Sequence, residues 1–412
     1  MSHINPGLIL GAKRPVALVS GFLFVTAAAC ISANLLWQRL PRSRKPPYEK
    51  SPAKTIPPAH EDLPYPPDAL PGARDVETPY GSIRVYEWGP ASGERVLFVH
   101  GISTPVVALG DLGHEMVARG YRVMLFDLFG RGYSDAPTDL PYDTRLYVTQ
   151  LLLVLASSPL PWTCASGFHL VGYSLGGALS VAFARYLPHL VRTLTLVAPG
   201  GLIRPHHVGF RSWLYYSSGL VPEILVRPLV RRRIRPTSHA PPAAPQSEDM
   251  LAAEGARVDG DSDVNGGAAF AGAAISRARP HVTVSAVVAW QVDRHAGFVA
   301  AFLSTIRRAP IYASPENWAV LARILEARRG GGGGAHASSG AEGVGAGLEG
   351  GKILAVLGKD DGVIVLDEFV EDAYAVLGRD GVEFVVLDGG HELPITSSAS
   401  VAAAIESSWA SR

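Results

Sequence analysis

Apolar positions in this chain follow two rhythms. Short apolar runs, which read as buried strands, fall at residues 95–100, 122–127, 168–172, 193–197, 352–357 and 382–387. Between them lie stretches whose apolar residues recur every three to four positions, which predicts helices. These cover 106–119 (closed by Gly120), 144–156, 175–186, 367–377 and 397–409. A hairpin precedes them, with strands at 75–78 and 84–88 and a turn at Gly81-Ser82. Strand and helix in alternation predict an α/β fold, a mostly parallel sheet flanked by helices on both faces.

Other stretches break the rhythm. Residues 15–37 carry no charge, with Lys13 and Arg14 before them and Arg39, Arg42, Arg44 and Lys45 after. About 20 apolar helical residues cross a bilayer core of about 30 Å, so an N-terminal transmembrane helix is expected here after a tail at 1–14. The heavier positive flank follows the span and places the catalytic body in the cytosol. The alternative is secretion after cleavage of a signal peptide, since Ala28-Ala29-Cys30 offers small residues. Residues 38–73 are rich in Pro, Lys and polar side chains and read as a tether. Residues 236–265 (Pro, Ala, Asp, Glu) and 330–351 (Gly) have compositions unable to bury a core, and both are expected to be disordered insertions. The glycine run ends Gly350-Gly351-Lys352, but Ala346 and Ile353 break the phosphate-loop pattern, and nucleotide binding is excluded.

Composition narrows the chemistry. In 412 residues, 37 Lys+Arg balance 37 Asp+Glu, which argues against a globally basic nucleic-acid binder. Two cysteines, Cys30 and Cys164, are too few for a disulfide framework or a cysteine zinc site. No metal or organic cofactor is implied.

The candidate chemistry sits at strand ends. Gly172-Tyr173-Ser174-Leu175-Gly176 fits G-x-S-x-G between a predicted strand and helix. A serine there sits on a turn too tight for bulky neighbours, at a helix N-terminus whose dipole favours developing negative charge. A serine hydroxyl is a weak nucleophile and needs a base oriented by an acid. His391, after Gly389-Gly390 at the end of the last strand, is the candidate base. The acid lies in Gly358-Lys359-Asp360-Asp361-Gly362, with Asp361 preferred and Asp360 left open. Asp388 is too near His391 in sequence to orient its ring. Both segments follow strands, where α/β sheets place their sites. For the oxyanion hole the backbone N–H groups of Leu175 and Ile102 are the candidates. His100 and the segment from Asp127 to Asp135 read as loop braces.

With these pieces in order, the chain resembles the α/β-hydrolase-fold serine hydrolases, in the esterase and lipase branch and similar to monoacylglycerol lipases. The resemblance is carried by Val99-His100-Gly101, by Asp127 through Gly130-Arg131-Gly132 to Asp135, by the Ser174 motif, by Asp361 and by His391. It implies core segments at 74–201 and 309–412 and an intervening helical lid at 202–308. In the lid, Phe210, Trp213, Leu214, Tyr215, Tyr216 and Leu220 precede Arg227, Arg231, Arg232, Arg233 and Arg235; the preferred reading is aromatics packed onto the active site beside a solvated basic edge, and the alternative is a face resting on an anionic membrane surface. The expected activity is hydrolysis of a small-molecule or lipid ester by a Ser-His-Asp acyl-enzyme route. A C–C-bond hydrolase or perhydrolase with the same triad, or a non-catalytic binding protein on this fold, are the alternatives.

Overall fold

The computed structural model describes residues 47–55, 63–204, 223–235, 267–312, 315–330 and 347–412. The tail at 1–14, the span expected at 15–37, the start of the tether, the aromatic part of the lid at 210–220 and most of both low-complexity insertions lie outside these residues. Among the described residues no helix is long and apolar enough to cross a membrane.

Among the described residues ten strands form, in chain order β1 (Tyr48–Glu49), β2 (Arg74–Thr78), β3 (Gly81–Trp88), β4 (Arg95–Val99), β5 (Arg122–Phe126), β6 (Ala136–Pro137), β7 (Phe168–Tyr173), β8 (Val191–Val197), β9 (Ile353–Gly358) and β10 (Val382–Leu387). Eight of them build one sheet in the order β10-β9-β8-β7-β4-β5-β3-β2. From β10 to β5 neighbours run parallel, while β3 pairs antiparallel with both β5 and β2. The burial explains the sequence pattern. β7 and β9 are buried at every position, because helices cover both faces, so they read as continuous apolar runs. β10 lies at an edge and keeps Val386 exposed.

The helices start and stop for local reasons. Asp143 caps the helix Thr144–Ala156, its carboxylate accepting the N–H groups of Arg145 and Leu146, a contact worth about 1 kcal/mol. The helix Leu175–Tyr186 is buried along most of its length and is built from small residues, including Gly176, Gly177, Ala178 and Ala182. A methyl group on Gly177 would lie 2.5 Å from Pro199 Cβ, so this helix can sit on the loop after β8 only with a bare backbone there.

Three expectations need correction. The tether does not remain free of the body over its whole length: β1 pairs antiparallel with β6, and Ser51, Tyr65 and Leu70 are buried. The backbone of Ser51 and that of Ser82 both donate to the buried carboxylate of Asp135, so a polar segment docks through main-chain hydrogen bonds rather than an apolar face. Likewise the end of the glycine-rich stretch packs. Leu348 is fully buried and donates its N–H to Val191, and Glu349 pairs with Arg192. The first hairpin also turns at Pro79 and Tyr80, two residues earlier than expected, since Gly81 already begins β3.

Between β8 and β9 the chain inserts the helices Glu223–Ile234, Gly267–Gly272, Val284–Arg294 and Phe298–Arg308 before the helix Pro315–Gly330 returns to the sheet. In the first of these Val226, Val230 and Ile234 face inward, while Leu225 and Leu229 remain 56% and 45% exposed. Arg231 and Arg235 on its outer side pair with Asp293.

Candidate active site

Ser174 stands at the junction of β7 and the helix Leu175–Tyr186, with φ 53° and ψ −120°. A non-glycine residue pays for this region in strain, and such strain persists only where the surroundings over-determine it. The surroundings here are glycines. A methyl group on Gly172 would lie 2.4 Å from the Gly176 carbonyl oxygen, and one on Gly176 would lie 2.0 Å from that of Val99. The G-x-S-x-G pattern is therefore a packing requirement of the turn that lifts Ser174 above the strand ends.

The loops after β9 and β10 complete the constellation. His391 Nε2 is 3.0 Å from Ser174 Oγ, and its Nδ1 is 2.9 Å from Asp361 Oδ2. The other oxygen of Asp361 accepts the N–H groups of Val363 and Ile364 at 2.8 and 2.9 Å, which fixes the carboxylate plane. Asp361 and His391 are buried. Asp360 and Asp388, the alternatives near them in sequence, are exposed. Residues separated by 217 positions are thus in hydrogen-bond contact in the order nucleophile, base, acid.

The two candidate oxyanion donors flank the serine. Leu175 opens the helix, and the first N–H groups of a helix have no intrahelical acceptor. Ile102 follows Gly101 in the loop after β4, and that loop runs against the nucleophile: a methyl on Gly101 would lie 3.3 Å from Ser174 Cβ.

The expected braces are held where the sequence placed them. His100 Nε2 accepts the N–H of Leu128 at 2.8 Å, which leaves Nδ1 as donor to the Gly101 carbonyl at 2.8 Å. Burial pushes its pKa down to about 3, so the ring is neutral. Asp127 accepts the N–H groups of Val106 and Tyr133 and is fully buried; desolvation raises its pKa to about 6, against those two hydrogen bonds. Gly132, at φ +53°, lies so close that any side chain would strike the Asp127 carboxylate.

Two contacts escaped the sequence reading. The Tyr173 hydroxyl donates to the His391 carbonyl at 2.8 Å and so steadies the histidine loop. Phe270, from the inserted helices, sets its ring edge-on to His391 with centroids 5.7 Å apart. Tyr173 was visible as the residue before the nucleophile. Phe270 follows an Ala- and Gly-rich stretch that carries no periodic signal. Among the described residues no three His, Cys, Asp or Glu side chains gather to hold a metal ion.

A serine, histidine and carboxylate thus stand in hydrogen-bond relay at the ends of a parallel sheet, and a sequence profile described as the alpha/beta hydrolase fold matches residues 94–397. The chain belongs to that family. It is 34% identical over 122 residues to Lipase 1 of Psychrobacter immobilis, covering 29% of this chain and 37% of that one. It is also 34% identical over 113 residues to the 2-hydroxy-6-oxo-2,4-heptadienoate hydrolase of Pseudomonas putida, covering 27% and 39%. Matches of this kind span about two-fifths of the curated relatives' length. Among solved structures, a hydrolase from Pseudomonas aeruginosa superposes with a TM-score of 0.51 at 18% identity, over 81% of this chain and 97% of that one.

Proposed function

We propose that this protein is a serine hydrolase that cleaves carboxylic esters, lipophilic ones in particular. The observation that carries the reading is the relay from Ser174 Oγ through His391 to Asp361. Ser174 attacks the ester carbonyl as His391 Nε2 takes its proton. Asp361 holds the ring with Nδ1–H toward itself and stabilises the imidazolium that forms. The N–H groups of Ile102 and Leu175 receive the negative charge that develops on the carbonyl oxygen, a contribution typically worth about 3 kcal/mol per donor. His391 returns the proton to the leaving alcohol. It then activates a water that frees the acid and regenerates Ser174.

The lipase from Psychrobacter supports the ester reading. The Pseudomonas putida relative supports a second one, hydrolysis of a C–C bond with the same three residues. Two measurements separate them. A fluorophosphonate probe should label the wild type and leave Ser174→Ala unlabelled. A series of p-nitrophenyl esters of increasing acyl length should be turned over, with kcat/KM rising toward the longer chains. Labelling without any ester turnover would favour the C–C reading, and labelling that survives in Ser174→Ala would sink both.

The inserted helices act in this proposal as a lid, and residues 15–37 as a single-pass anchor with the body on the cytosolic side. Support comes from the uncharged run itself and from Leu225 and Leu229, exposed beside the arginines of the helix Glu223–Ile234. An anchored protein stays with membranes washed in alkaline carbonate; release into the wash would refute the anchor.

A further inference from the structure

The loop that carries Ile102 is held by three donors in succession. His100 Nδ1 donates to the carbonyl of Gly101 at 2.8 Å. Arg131 Nε donates to the carbonyl of Ile102 at 3.2 Å. Gln291 Nε2 donates to the carbonyl of Ser103 at 2.9 Å. In a trans peptide the carbonyl and the N–H of the same unit point in opposite directions. Fixing the Gly101 carbonyl on His100 therefore aims the Ile102 N–H the other way, and fixing the next two carbonyls prevents the loop from rotating out of that orientation.

The third donor does not come from the sheet or its loops. Gln291 lies on the inserted helix Val284–Arg294, 188 residues from Ser103, and it is fully buried. Both ends of its amide are used, since Oε1 accepts the N–H of Gly132 at 2.9 Å. Arg131 ties into the same insertion: it donates through Nη2 to the Thr305 hydroxyl at 2.9 Å and through Nη1 to the Phe129 carbonyl and the Tyr147 hydroxyl. The amide and the guanidinium thus join the insertion, the Asp127–Asp135 segment and the Ile102 loop in one buried network. A buried network of this kind is rigid when fully satisfied and costly when one member is lost.

We propose that Gln291 is a positioning residue for acyl transfer: the helical insertion completes the oxyanion hole by fixing the Ser103 carbonyl, with Arg131 fixing that of Ile102. The proposal rests on the ester-hydrolase reading, with Ile102 N–H as an oxyanion donor. Its role is indirect, because Gln291 orients the donor's loop and touches no reacting atom. Displacing an oxyanion donor costs roughly 10²–10³ in kcat, and partial misplacement less.

Gln291→Met, close in length but without either hydrogen bond, is the principal variant. With a p-nitrophenyl ester, kcat should fall by roughly 10- to 100-fold while KM stays within about threefold. A trifluoromethyl ketone, whose adduct places an oxyanion in the hole, should lose affinity by a similar factor. The corresponding secondary alcohol, which carries no oxyanion, should bind as before. Equal losses for ketone and alcohol, or an unchanged kcat, would overturn the proposal, since a side chain that only shapes the lid would weaken both ligands alike. If Gln291→Met does not fold, Arg131→Lys serves the same purpose: it keeps the charge, loses the fork, and should show the same selective loss. A failure of the ester reading itself looks different, because the wild type would then turn over no ester and form no adduct with the ketone.

Discussion

At the scale of single residues, the geometry around Ser174 assigns unequal burdens. Ser174 holds a strained backbone angle that two glycines make possible, and Asp361 spends one oxygen on two backbone N–H groups and the other on His391. Asp361→Asn would turn a donor toward the Nδ1–H and favour the wrong tautomer, so kcat should fall by roughly 10⁴ with little change in KM, read from steady-state ester hydrolysis. The buried histidines make a separate prediction about stability. His100 and His295 are fully buried, and desolvation lowers their pKa to about 3 and about 4. The unfolded chain binds those protons near pH 6.5, so it holds more protons than the native state between pH 6.5 and 4. Their contribution is complete above pH 6.5 and is lost as the pH falls. Asp127, raised to about 6, works in the opposite sense, but a single carboxyl offsets only part of what the two imidazoles contribute. Urea unfolding should therefore give a free energy lower by about 2 kcal/mol at pH 5 than at pH 7, and a flat profile would contradict this assignment of neutral rings.

At the scale of elements, the sheet was written plainly in the sequence and the N-terminal strap was not. The central parallel strands β4, β5, β7 and β9 are covered on both faces and so appear as largely apolar runs, and the predicted boundaries fall within a residue or two of β4, β5, β7, β8, β9 and β10. The meeting of Ser174, His391 and Asp361 was legible for the same reason, since strand ends mark where their loops begin. The stretch 106–119 reads as one helix, yet the structure opens it with a 3₁₀ turn, Val106–Leu109, after Pro105. The strap at residues 47–55 gave no apolar pattern because it is held by the backbone, through the pairing of β1 with β6 and the Ser51 N–H on a carboxylate far along the chain. Asp135 accepts the N–H groups of Ser51 and Ser82 in a fully buried site. Asp135→Asn would place an NH₂ opposite one of those donors. It should destabilise the protein by about 1–3 kcal/mol in urea unfolding and loosen protection of the Ser51 amide in hydrogen exchange. Loss of stability without a change at Ser51 would argue against the strap.

At the scale of the whole molecule, one sheet and one insertion divide the work. The sheet brings Ser174, Asp361 and His391 together from three strand ends, while the insertion covers His391 with Phe270 and reaches the Ile102 loop with Gln291. Chemistry is therefore set by elements whose periodicity is strong. In the proposed function, selectivity falls to helices whose sequence is interrupted by low-complexity stretches. Replacement of Phe270 by Ala should accordingly change the preferred acyl length in the p-nitrophenyl ester series more than it lowers the maximal rate, because the ring packs on His391 without entering the proton relay. Whether Ser174 Oγ is the atom acylated is read by mass spectrometry of the intact protein and its peptides after brief mixing with a p-nitrophenyl ester. Acylation at Ser174 gives a mass increase of one acyl group located on the peptide containing Ser174, absent in Ser174→Ala and accumulating in a variant slowed in deacylation. An acyl group found on another residue, or ester turnover that persists in Ser174→Ala, would contradict it.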